Sequence, residues 1–421
     1  MLDVSRMVLV SLSKNRMSYE FTQKVTNFLY KQHAPSLPIP EVEAVFSSGT
    51  FSGGEFDPKF RVDVVGKEVY LFGLPSIETK DDLFPGELSF RVCAAAQAAY
   101  DNGAKAVHAV LPDLHFSRAD RSASDFDKKN PSSTSNAGRG RIALLQAKLF
   151  AASSIKTVFT MELHSELIRD IYADVFGRTD ALQVFSPAPL FAHYLAEHSF
   201  FPLNNFGEEL VLVSPDGGAK KTLHVLLELL HKEHGLTGVS AVFLKKIRRQ
   251  PNNPDNLEVL PDPHDPYSSN YTTMDGKHIV IVDDLVDTAG TISEAAKHFR
   301  TEGIRTSKGQ ELPASVSTML VHPVFAGRNF ESAMKKIASA DLRELIICNS
   351  HPFVEDNLIF PLKKNTSIIR VALLFAEGLA KHQMGSYANA VYNENGVFSK
   401  DKVSSLFALK RSTSFTLSKQ G

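Results

Sequence analysis

The chain of 421 residues contains no tryptophan and only two cysteines, Cys93 and Cys348. They lie far apart among apolar neighbours, and neither belongs to a CxxC pair. A thiolate zinc site, a dithiol redox motif and a disulfide-stapled fold all lack their raw material; two buried free thiols in a reducing compartment are expected. An excess of one charge sign is missing as well. Lys plus Arg number 46 and Asp plus Glu 47, a formal net charge of −1. Binding to a nucleic-acid backbone or an anionic membrane draws on a cationic surplus, so neither is expected of the whole chain. Long apolar runs are absent too. Met7–Ser13 is too short for a signal-peptide core. Nothing approaches the ~20 apolar residues that cross a bilayer. A cytoplasmic location is expected.

What remains is an ordinary globular composition, 43% hydrophobic and 22% charged, on a chain longer than one core usually organises. Two domains, or three, are expected. Short Val- and Ile-rich runs predict strands at Met7–Leu12, Glu68–Phe72, Lys105–Leu111, Lys156–Met161, Glu209–Val213, Val239–Leu244, His278–Val282, Ala314–Val321, Arg343–Cys348 and Ser367–Val371. Helical spacing predicts helices at Ser18–Lys31, Glu87–Asn102, Arg141–Ser153, Pro187–His198, Gly218–His234, Thr291–Thr301, Asn329–Ser339 and Ala372–Lys381. Continuous apolar strands alternating with helices predict an α/β fold of doubly wound parallel sheets. Ligands of such sheets bind at the carboxyl ends of the strands. Two polar segments, Ser122–Gly140 and Arg249–Gly276, the second with five prolines, read as long loops. Lids and simple insertions are equally open there. The tail from Gln383 onward is polar and weakly patterned.

The sharpest motif is HIVIVDDLVDTAGT at His278–Thr291. An apolar strand runs into Asp283 and Asp284, then Asp287 and Thr288, then a small-residue turn at Ala289, Gly290 and Thr291 that opens a helix. Backbone N–H groups of the turn, the two threonine hydroxyls and the helix N-terminus can cradle a phosphate. The carboxylates can accept hydrogen bonds from vicinal ribose hydroxyls, directly or through Mg²⁺. A capped helix after a core strand would need fewer acids than these.

This string resembles the phosphoribosyl-pyrophosphate (PRPP) motif of type I phosphoribosyltransferases. Further segments narrow the resemblance to ribose-phosphate diphosphokinase, or PRPP synthetase. They are FSGGE at Phe51–Glu55, FSRADR at Phe116–Arg121, MELHSELI at Met161–Ile168, VSPDGGAKK at Val213–Lys221, Lys246-Ile247-Arg248, and IIRVALLFAEGLAKH ending at His382. The resemblance covers most of Met7 to His382. It implies two domains of phosphoribosyltransferase-like fold: residues 1–182 on the ATP side and 183–365 on the ribose 5-phosphate side. Residues 366–382 would return to the first, and 383–421 would form a tail.

The resemblance assigns roles that the residue types can fill. Phe51 and Glu55 would contact adenine, by stacking and by hydrogen bonding. Arg118, a planar donor fork clustered with Asp120 and Arg121, would take ATP phosphates or adenine, with Asp120 also on the ATP side, although such a cluster can be a solvated turn. His164 would bind the magnesium of ATP, where a lone histidine at a strand end is otherwise more often structural. Asp216, Gly217 and Gly218 would form the pyrophosphate loop, Asp216 as a magnesium or ligand contact, with Lys220 and Lys221 adding positive charge. Asp283 and Asp284 would hold ribose, and Asp287, Thr288, Ala289, Gly290 and Thr291 its 5-phosphate. Lys246 and Arg248, in a cationic run that composition alone would leave on a solvated face, would neutralise the transferring group.

The implied reaction transfers a diphosphoryl group from MgATP to ribose 5-phosphate, giving PRPP and AMP. Mg²⁺ is the implied cofactor, and assembly into homo-oligomers, dimers or hexamers, is implied as well. The match departs where nucleotide is read. Gly53 replaces an Asp or Asn, Ala119 replaces a Gln, and PDGGAKK is one residue shorter than the common loop. A non-catalytic PRPP-synthetase-associated regulator and a PRPP-consuming phosphoribosyltransferase remain alternatives.

Overall fold

Strands buried along their whole length must be covered on both faces, and the chain builds two sheets of that kind. The structure is a computed structural model describing residues 2–13, 15–74, 84–121, 139–198, 203, 205–214, 219–248, 257–261, 273–306, 309–325, 330–351 and 362–385. The first half supplies β1 (Met7–Ser11), β2 (Phe46–Thr50), β3 (Phe56–Phe60), β4 (Glu68–Phe72), β5 (Ala106–Val110), β6 (Ile155–Met161) and β7 (Leu182–Phe185). The second supplies β8 (Leu210–Ser214), β9 (Ser240–Arg248), β10 (Leu257–Pro261), β11 (His278–Val286) and β12 (Ile304–Thr306). After these come β13 (Gly309–Glu311), β14 (Ser315–Pro323), β15 (Leu345–Cys348) and β16 (Thr366–Ile369).

The first sheet has the order β1-β4-β5-β6-β7, every pair parallel. The second has the order β10-β9-β8-β11-β14-β15-β16, parallel except for β10 at its edge. Helices between the strands supply the crossovers that parallel pairing demands. The doubly wound α/β expectation holds for both sheets.

Several elements differ from the sequence expectation. The hairpin β2–β3, the pair β12–β13, β7 and the helix Leu167–Phe176 were not expected. The first hairpin strands, FSSGT and FDPKF, are polar or interrupted by proline, so they carry little strand signal. In the helix, Ile168, Ile171 and Tyr172 are buried at helical spacing, and Gly177 caps the end at φ 67°. Within the segment read as a loop, Leu257–Pro261 is a strand. Antiparallel pairing to a parallel sheet's edge leaves Pro261 where a missing N–H is tolerated. Cys348 is buried but Cys93 only half so, and both are free thiols. Among the described residues, no helix is long and apolar enough to cross a membrane.

The sheet boundaries also shift. β7 pairs with β6, so the first sheet extends through Phe185 rather than ending at 182. β16 pairs with β15 and stays in the second sheet, so the chain does not leave it at 366. The helix Ala372–Gln383 then crosses back. Its Phe375 ring meets Phe21 at 5.9 Å and Phe185 at 5.0 Å, both edge-on. Phe21, Phe185 and Phe375 share one buried cluster with Leu223 and Val282 of the second half, so the apolar packing is continuous between the sheets.

Gly378 lies on this helix against the buried Phe185 ring, and a Cβ there would overlap the ring carbons. Helix propensity alone would make Gly378→Ala stabilising by about 1 kcal/mol. Overpacking should reverse the sign: Gly378→Ala is expected to destabilise by about 1–3 kcal/mol. A lowered urea midpoint at unchanged m-value checks it.

Candidate active site

β11 is longer than the expected His278–Val282. It continues to Val286 beside β14, so Asp283 and Asp284 lie inside the strand rather than beyond it. Both are nearly out of water, at 7% and 5% exposure. The Asp283 Oδ1 accepts the Asp284 N–H at 3.0 Å. The chain then passes Asp287 and Thr288 and turns at Ala289, which adopts the left-handed region at φ 58°. A residue with a Cβ seldom sits there, and here it forms the N-cap of the helix Gly290–Thr301. The opening N–H groups of that helix have no intrahelical acceptors.

The first sheet meets this corner from the other side. Beyond β6, Glu162 takes φ 47° and two residues later His164 projects across the gap. Its Nδ1 lies 2.8 Å from Asp284 Oδ2. Arg118, after β5, donates from Nη1 to Asp287 Oδ2 at 3.0 Å. Lys221 donates to Glu166 Oε1 at 2.8 Å. Arg118, His164, Asp284 and Asp287 are therefore one polar cluster drawn from both sheets.

Electrostatics follow from that pairing. The hydrogen bond to Asp284 raises the His164 pKa, against the effect of partial burial. Burial pushes the Asp284 carboxyl up, but the bond and charge of His164 outweigh it and hold the pKa below the usual value. Glu162 goes the other way. Burial, reinforced by the Asp284 charge, pushes it to about 7, despite a hydrogen bond from Thr222. A carboxyl that readily keeps its proton limits the negative charge collected at the corner.

Residues 189–309 match the model of the phosphoribosyl transferase domain. A ribose-phosphate pyrophosphokinase of Helicobacter hepaticus is 26% identical over 347 residues, covering 81% of this chain and 89% of that protein. One from Campylobacter jejuni is 25% identical over 374 residues, covering 89% and 96%. The crystal structure of phosphoribosylpyrophosphate synthetase from Mycobacterium smegmatis superposes with a TM-score of 0.63 at 20% identity. That match covers 90% of this chain and 99% of the other, a likeness of fold. Over most of its length the chain is similar to proteins named ribose-phosphate pyrophosphokinase.

Other residues that the pyrophosphokinase resemblance singled out lie outside this cluster. Phe51 and Glu55 stand at the exposed tip of the β2–β3 hairpin, joined by the Phe51 N–H to the Glu55 carbonyl at 2.8 Å. Asp120 is buried and lies 3.8 Å from the Arg121 guanidinium. Lys246 and Arg248 are not at the start of a loop but on β9, in register with Val259 and Leu257 of β10. Thr288 accepts at its carbonyl from Lys336 at 3.3 Å. Asp216, Gly217 and Gly218 lie outside the described residues.

A second layer locks the sheets together beneath the cluster. His322, fully buried after the expected end of β14, donates Nε2–H to the Met161 carbonyl at 2.8 Å. His351 reaches Asp113 at 2.9 Å. Burial opposes ionisation of Asp113, but His322 and His351 outweigh it and hold the carboxyl far below its usual range. These residues were absent from the sequence expectation. His322, Asp113 and His351 each come within three residues of a predicted strand's carboxyl end, which was the available signal.

The His164–Asp284 pair makes stability depend on pH in a defined window. The raised His164 pKa contributes fully below the unfolded value of 6.5 and fades as pH climbs through the folded value. The lowered Asp284 pKa contributes above 3.8 and fades as pH falls. The stability difference between the parent and His164→Gln should therefore peak between those limits and shrink above neutrality. Paired urea titrations across pH check it.

Proposed function

We propose that the chain is a ribose-phosphate diphosphokinase, transferring the β,γ-diphosphoryl group of MgATP to the 1-hydroxyl of ribose 5-phosphate. The observation carrying this reading is the cross-sheet cluster: an acid corner with a phosphate-sized turn, faced by His164 and Arg118. Asp283 and Asp284 accept hydrogen bonds from the ribose hydroxyls. The turn from Asp287 to Thr291 receives the 5-phosphate on backbone N–H groups and threonine hydroxyls. Arg118 then exchanges its carboxylate partner for ATP phosphate oxygens, so a cation already in place needs little rearrangement, while His164 stays on Asp284. The anomeric oxygen attacks the β-phosphorus, the bond to the α-phosphoryl oxygen breaks, and AMP leaves. The hydroxyl proton passes to solvent. Lys246 and Arg248 would carry cationic charge to the transferring group, and Phe51 and Glu55 would hold adenine.

Mg²⁺ fits one residue of this cluster. Asp284 fixes the neutral His164 as the Nδ1–H tautomer, which turns the Nε2 lone pair outward as a metal ligand. With Asp216 it would hold the ion, which when bound offsets triphosphate charge. Self-association, which the resemblance also implies, has candidate contacts in the exposed Phe90, Leu145 and Leu149 on the helices Pro85–Asp101 and Ile142–Ala152.

The exposed FSGGE tip, apart from Arg118 and His164, favours a second reading: a non-catalytic regulator that binds a catalytic partner. Turnover separates the two. With ribose 5-phosphate, ATP and Mg²⁺, AMP release is expected. Asp284→Asn and Arg118→Ala should each lower kcat/KM by about 10²-fold or more. No AMP at any magnesium level would sink the enzymatic reading, and capture of a catalytic homologue would then support the regulator.

A further inference from the structure

Parallel strands place their carboxyl ends together, so the acid corner occupies one end of the first sheet. A different constellation occupies the other end. Glu68 is the first residue of β4, His108 lies on β5, and His382 lies near the end of the crossing helix Ala372–Gln383. One ligand atom from each lies within 4.8 Å of the other two.

The contacts are specific. His108 is fully buried, with Nε2 3.3 Å from Glu68 Oε2. Its ring stacks on Tyr70 at 4.7 Å and meets His382 edge-on at 5.0 Å. The Nδ1 atoms of both histidines are buried and find no hydrogen-bond partner among the described residues. Ring stacking accounts for buried imidazole faces, but not for desolvated nitrogens left without partners, which proteins rarely keep. His108 turns Nε2 to the carboxylate, and His382, with its own partnerless nitrogen, completes a cluster of two imidazoles and one carboxylate suited to something that accepts lone pairs.

We propose that Glu68, His108 and His382 form a structural site for one divalent transition-metal ion, zinc by its chemistry, fastening the crossing helix to the first sheet. Two imidazoles and a carboxylate form a set zinc takes readily and magnesium does not. In a tetrahedral zinc site, with bonds of about 2.0–2.2 Å, ligand atoms stand roughly 3.3–3.6 Å apart. The three side chains need to close by only about an ångström, within rotamer adjustment. Lys105 holds Glu68 Oε1 at 3.1 Å, orienting the carboxylate so that Oε2 faces the histidines. A water supplies the fourth position, while Gln383 Nε2 donates to Glu68 Oε2 at 2.5 Å and to the Tyr70 hydroxyl at 2.9 Å and so holds the carboxylate from outside the ligand set. Burial, and then its neighbour His108, holds the His382 pKa down to about 4, and burial lowers that of His108. Both rings are therefore neutral ligands at physiological pH, and the ion displaces no imidazolium proton.

The test uses the full chain, stripped of metal with a chelator and titrated with Zn²⁺ and, separately, with Co²⁺. One tight equivalent is expected, with the visible absorption of four-coordinate Co²⁺ and a raised Tm. His382→Ala and Glu68→Gln should each weaken that equivalent by about 100-fold or more. His164→Gln, altered at the acid corner, should retain it. Because His382 is near the helix end and only half-buried, its variant remains informative if a His108 variant misfolds; circular dichroism confirms folding. Absence of a tight equivalent in the parent, or its survival in His382→Ala, overturns the site. Loss in His164→Gln with retention in His382→Ala assigns the ion to the acid corner and overturns it as well.

Discussion

A carboxylate almost out of water must be given a counter-charge, and the one Asp284 uses comes from the opposite sheet. β11 delivers the acid at 5% exposure, and His164, carried past the end of β6, meets it at 2.8 Å. Removing His164 leaves Asp284 buried and uncompensated, which costs more than the pair contributes net. The two sheets are thereby committed to one relative placement. Arg118 with Asp287, His322 with the Met161 carbonyl and His351 with Asp113 repeat the same bargain along the seam. The seam is polar because carboxyl ends of parallel strands meet there. The crossing helix, packed by Phe375 on Phe21 and Phe185, supplies the apolar complement.

This placement has a chemical consequence. In phosphoryl transfer most of the rate comes from holding anions in line among fixed charges. A cation paired with a carboxylate before substrate arrives, as Arg118 is with Asp287, is already oriented, and a phosphate oxygen could take the carboxylate's place at small reorganisation cost. The same acids that anchor the sheets are those proposed to accept pentose hydroxyls. On that reading folding and ligand binding draw on one set of groups. Burial, reinforced by the Asp284 charge, pushes the Glu162 pKa to about 7, which opposes further negative charge in that set.

Much of this was legible in the sequence, because periodicity and apolar runs report burial directly. Eight expected helices occur near their expected positions, as do the ten expected strands. The string His278–Thr291 marked the acid corner, since several acids and a Thr-x-Gly-Thr turn exceed what capping needs. What escaped was of two kinds. Weak strands such as Phe56–Phe60 exist through pairing with a neighbour, a tertiary cause that local composition cannot express. Partners such as His351 and Asp113, 238 positions apart in the chain, carry no local pattern at all. The strand ends were also misjudged where polar residues continue a ladder. Asp283 and Asp284 are inside β11 because β14 goes on pairing beside them.

The uneven character of the site follows from what each part is built on. The pentose side sits within a central strand and at the start of a twelve-residue helix, and its acids are also structural counter-ions. The adenine side, by resemblance, is a hairpin tip closed by two backbone bonds, Phe51 to Glu55 at 2.8 Å and Gly54 to Phe51 at 2.9 Å. A side chain at Gly53 would meet open space, so its identity is invisible to the fold. Substitution there leaves the packing untouched, while substitution at Asp284 disturbs the joining of the sheets. Ala119 is different, because it stands between Asp120 and the Arg118 that bonds Asp287 across the seam. On the proposed function, nucleotide recognition at the hairpin tip would be freer to vary than the grip on a phosphorylated pentose.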